Sequence, residues 1–71
     1  MMVTLHDQLY AADPVARSQA PILTTWHDAQ QAPARDQYVQ IKDATWIVRD
    51  HLWLPGGREV LVFCSKMDFY V

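Results

Sequence analysis

Hydrophobic and polar positions fall into two regimes along this chain, a mixed first half and a strongly alternating second half. The densest pattern lies between Thr45 and Cys64. Val60, Leu61, Val62 and Phe63 make an uninterrupted β-branched and aromatic run, which suits a strand covered on both faces. Upstream, an extended Thr45–Leu54 places Trp46, Val48, Leu52 and Leu54 on one face, with only Asp50 out of place. Its other face carries Thr45, Ile47, Arg49, His51 and Trp53 and has a wetter character. Pro55, Gly56 and Gly57 separate the two runs. Proline has no ladder donor and glycine takes positive φ without steric cost, so the spacing predicts a β-hairpin.

Two further strands are expected around this hairpin. Gln37–Lys42 alternates, with Val39 and Ile41 on one side and Tyr38, Gln40 and Lys42 on the other. Ser65-Lys66 reads as a bend, after which Met67, Phe69 and Val71 alternate with Asp68 and Tyr70. A rival reading makes residues 34–54 one helix, with Tyr38, Ile41, Thr45, Val48 and Leu52 at helical spacing. The density of β-branched residues (Val39, Ile41, Thr45, Ile47, Val48) favours strands.

The first half carries helix-start signals instead. Thr4 followed by Asp7 resembles a capping box and predicts a helix over Leu5–Ala12. Asp13-Pro14 can open a second short helix over Val15–Ala20, which Pro21 stops. Ile22 and Leu23 then dip toward the core, and Thr25 with Asp28 repeats the cap spacing before a helical turn at Ala29–Ala32. The segments from Thr4 and from Thr25 look alike at a spacing of 21 residues, a likeness that two helix starts produce without duplication. The expected fold class is therefore α+β, with short N-terminal helices packed on a four-stranded antiparallel β-meander. It forms one domain, 1–35 being mainly helical and loop cover and 36–71 the meander.

Size and composition sharpen this picture. A chain of 71 residues has one small core, and such chains bury only about 60% of their unfolded surface. Its 51% hydrophobic content, with three tryptophans, exceeds what so small an interior can hide. Some large side chains are thus expected on the surface or against a partner. The single Cys64 cannot form an internal disulfide and reads as a small buried hydrophobe. With no signal-peptide pattern and no apolar span, the expected location is the cytoplasm.

The net charge is −2, and nowhere do three basic residues cluster, which speaks against a nucleic-acid footprint. Each histidine neighbours an aspartate (His6-Asp7, His27-Asp28, Asp50-His51). Adjacent residues point apart, however, and the spacings match no metal pattern. Neither serine chemistry nor a phosphate loop is indicated, since Pro55-Gly56-Gly57 lacks the lysine and helix start such a loop needs. No enzyme activity, metal or cofactor is expected.

The aromatic residues are the better functional signal. Trp53, Arg49, His51, Trp26, Tyr38 and Tyr70 form the expected partner-binding set, because Trp, Tyr and Arg anchor protein interfaces. For Trp26 the alternative is a lid folded over the hairpin. The expected function is a small cytoplasmic protein-binding module, an inhibitor or adaptor, or a structural subunit of a larger assembly, binding another protein or itself. In size and acidity the chain resembles the compact proteins with which phages and mobile elements block host machinery, a likeness of type. Two other classes compete. One is nucleic-acid binding with Trp53, Tyr38 and Tyr70 as stacking platforms beside Lys42 and Arg58. The other is a metal-dependent enzyme using His6, His27 and His51.

Overall fold

The computed structural model describes residues 1–8 and 20–67. Five strands run through them: β1 (Met2–Asp7), β2 (Ile22–Trp26), β3 (Tyr38–Ile41), β4 (Ala44–Trp53) and β5 (Glu59–Lys66). They form one sheet in the order β2-β1-β5-β4-β3, curled into a half-barrel. β1 lies parallel to β5, and the other three neighbouring pairs are antiparallel.

This overturns the α+β expectation and the purely antiparallel sheet. No helix occurs among the described residues, and so none that is long and apolar enough to cross a membrane. Where a helix was expected over Leu5–Ala12, residues 5–7 belong instead to the strand β1, buried on both faces, and residues 9–12 lie outside the described residues. The reason is one of magnitude. A capping side chain contributes about 1 kcal/mol, whereas burying an aliphatic side chain such as Val3 or Leu5 contributes roughly 1.5–3 kcal/mol. Both are fully buried between β2 and β5. The helical turn expected at Ala29–Ala32 is irregular chain, and the rival helix over 34–54 gives way to β3 and β4. The second expected helix lies outside the described residues except for Ala20, as does the last expected strand beyond Met67. Ser65-Lys66 does not bend: both extend β5, and the Met67 amide still donates to the Thr45 carbonyl (2.9 Å).

The hairpin of β4 and β5 forms as the residues indicated. Gly56 (φ 95°) and Gly57 (φ 67°) supply the left-handed backbone, and Leu54 and Glu59 close the turn through the Leu54 amide (3.0 Å). β3 also forms as expected, with Val39 and Ile41 buried and Tyr38 and Gln40 exposed.

The inner face of the half-barrel holds the main core: Val3 and Leu5 from β1, Val60, Val62 and Cys64 from β5, and Trp46 and Val48 from β4. Among the described residues, what covers it is the connection 27–37, which crosses from β2 on one edge to β3 on the other. Ala29 and Ala32 pack on the core from this strap. It is pinned at three places. Ala29 exchanges hydrogen bonds with Met1 (3.1 Å each way), the Pro33 carbonyl accepts from His51 Nε2 (2.7 Å), and Asp36 and Gln37 bond both backbone groups of Val48 (2.8 and 3.0 Å). The outer face has a smaller cluster built on Phe63, with Ala20 and Leu61.

Candidate functional site

β4 is ten residues long, but its outer neighbour β3 is only four and pairs with Ala44–Ile47 alone. Beyond Val48 the outer side of β4 has no strand beside it among the described residues. Among the described residues, 49–53 thus have a neighbouring strand, β5, on one side only, and form the margin of a two-stranded ribbon that ends at the glycine turn.

A β-bulge sits at the start of this margin. Val48 pairs with Cys64 and Asp50 with Phe63, which leaves Arg49 as an extra residue. The extra residue inverts the alternation. His51 and Trp53, opposite Val62 and Val60, belong to the inner face, and Leu52, opposite Leu61, to the outer one. The sequence pattern had grouped Leu52 with Trp46 and Val48. Leu52 is instead 43% exposed and its neighbour Trp53 is 52% exposed. Asp50 was the signal that the period breaks here.

The backbone of this margin is partly guarded. Because Leu54 donates to Glu59, alternate residues aim their amides away from β5, His51 among them. Its N–H is taken by Asp50 Oδ1 (2.9 Å). A bulge and an inserted carboxylate both discourage addition of another strand, so side chains are what the margin offers a partner.

The other expected partner residues scatter. Arg49 is exposed at the bulge. His51 is half-buried, and its ring is engaged in holding the strap at Pro33. Trp26 is half-buried in the edge strand β2 and packs on the inner core across from Val3. Tyr38 is 60% exposed but pairs with Ile47, on the opposite face from Trp53. Tyr70 lies outside the described residues.

Among the described residues no group of three or more His, Cys, Asp or Glu side chains comes together as a metal would require. His6 is buried on the outer face, with Nδ1 donating to the Ala20 carbonyl (2.9 Å) and its ring stacked on Phe63 at 5.5 Å. Its Nε2 is buried with no hydrogen-bond partner. His27 is exposed in the turn after β2, and His51 faces the strap, so the three imidazoles occupy separate places. Cys64 is sealed in the core, where burial, and secondarily the Asp7 carboxylate, raises its thiol to a pKa of about 11. Such a thiol is a poor nucleophile at neutral pH. Comparison with known proteins returned no matching family model, no matching curated protein and no matching solved structure.

Proposed function

We propose that this chain is a non-enzymatic protein-binding module, an inhibitor or adaptor, that docks through the β4–β5 ribbon. Leu52 and Trp53 present apolar surface from its two faces, and Arg49 stands at its base. The observation that carries this reading is the adjacent exposure of Leu52 and Trp53 where β4 outruns β3. Each side chain gains roughly 1.5–3 kcal/mol if fully covered, and a two-sided ribbon fits a cleft better than a flat surface.

Affinity purification from the native host, comparing wild type with Trp53→Ala and Arg49→Ala, tests the proposal. Loss of the Trp53 indole is expected to weaken capture by about 30-fold or more. Unfolding free energy should fall by no more than about 1 kcal/mol, since the residue is already half-exposed. A folded Trp53→Ala protein that retains the same partner at the same affinity overturns the reading. The nucleic-acid alternative gains no support: Trp53 and Tyr38 lie on opposite faces, and Lys42 and Arg58 sit at opposite ends of β4. They make no single stacking platform.

A further inference from the structure

At the far end of β4 from the ribbon, the half-barrel opens into a groove of about 370 Å³. Ile22 and Leu23 from the start of β2 form one wall, and Ile41 and Trp46 form the opposite wall and floor. This is the gap between the two edge strands, at the position where barrels commonly take a small ligand. Ile22 pairs with His6 and so turns its side chain toward the outer face, leaving the half-buried Leu23, which packs on the inner core, as the apolar part of this wall.

The rim has a charge of its own. Among the described residues, Lys42 and Lys66 line the groove with Asp43 as the one acid, a local excess of positive charge in a chain whose net charge is −2. Lys42 also holds a left-handed backbone (φ 55°) in the β3–β4 turn. Ile41 and Ala44 are paired, so Lys42-Asp43 is a two-residue hairpin turn, and such turns use positive φ.

We infer that the mouth of the half-barrel binds a small anionic amphiphile, an apolar body ending in a carboxylate. The body lies along Leu23, Ile41 and Trp46, and the carboxylate is held between the Lys42 and Lys66 ammonium groups. Charge complementarity selects this occupant over a neutral one, and the groove volume falls within the range of small-molecule sites. The site is separate from the ribbon and does not rest on the protein-docking proposal.

The test is a titration of the isotope-labelled full chain with sodium octanoate, followed by amide chemical shifts. Saturable shifts centred on Ile22, Leu23, Lys42, Trp46 and Lys66 are expected. The double variant Lys42→Gln, Lys66→Gln, altered only at exposed positions, should bind about tenfold more weakly. Octanol should bind wild type more weakly than octanoate does, and Trp53→Ala should leave octanoate binding unchanged. Shifts that do not saturate, shifts centred on Leu52 and Trp53, or equal affinity in the double variant overturn the inference. So does saturation by an acidic, leucine-rich peptide without saturation by octanoate.

Discussion

Cys64 and His51 show what single side chains do once the sheet surrounds them. The Cys64 thiol sits in the inner core, and burial pushes its pKa to about 11 from a usual value of 9.0. In the folded chain it should resist an aromatic disulfide reagent at neutral pH and react only at the rate of opening, which a comparison with amide exchange measures. The same shift couples to stability. The folded state keeps the proton that the unfolded state releases, so stability is full below pH 9 and falls as pH rises through 11. The expected loss across that window is about 2–3 kcal/mol, readable from urea midpoints, and a Cys64→Ala variant should lose the slope. The burial of Cys64 was legible from its place at the end of an apolar run. The role of His51 was not, because its partner, the Pro33 carbonyl, is 18 residues away on a connection with no pattern of its own. Replacing His51 by Ala should cost about 1–2 kcal/mol. It should also speed amide exchange at Ala29 and Asp36, since the strap would then hang on its other pins. Unchanged exchange at both would show that the imidazole does not hold it.

At the scale of elements, the bulge in β4 decides which residues face inward. A plain alternation from Thr45 to Leu54 leaves Asp50 among apolar neighbours, a local conflict that the sequence displayed without revealing its cause. One extra residue at Arg49 resolves it: Asp50 and Leu52 turn outward, while His51 and Trp53 turn in. Deleting Arg49 should therefore leave a folded protein. The regular strand that results keeps Val48 opposite Cys64 and His51 opposite Val62, and only the local twist is lost. Cross-strand nuclear Overhauser contacts between those pairs check this, and a collapsed, undispersed spectrum would contradict it. The hairpin itself was readable because its determinants are local, namely two glycines at positive φ and two apolar runs. β1 was not, because its local signals at Thr4 and Asp7 point to a helix. The burial that outweighs them comes from β5, at the other end of the described chain.

At the scale of the whole molecule, the parallel pairing of β1 with β5 turns a meander into a half-barrel and places two cores on opposite faces of one sheet. Stability of a chain this long is expected at about 4–10 kcal/mol. Phe63 anchors the outer cluster with no exposed surface. Phe63→Ala should cost about 3–5 kcal/mol, enough to bring the domain near its unfolding threshold, which thermal denaturation followed by circular dichroism would show. A shift of only a degree or two would mean that the outer cluster carries little of the fold. The sequence by itself determined the glycine turn, the strands flanking it, the alternation of β3, and an apolar content too rich for a small interior. Those properties depend on residues within one turn or strand of each other. Only the tertiary structure decided that residues 2–7 are a strand, that a pinned strap covers the inner core among the described residues, and that Leu52 and Trp53 stand exposed on opposite faces. Each of these follows from pairing between distant segments, where buried area and ladder hydrogen bonds outweigh local preferences worth about 1 kcal/mol.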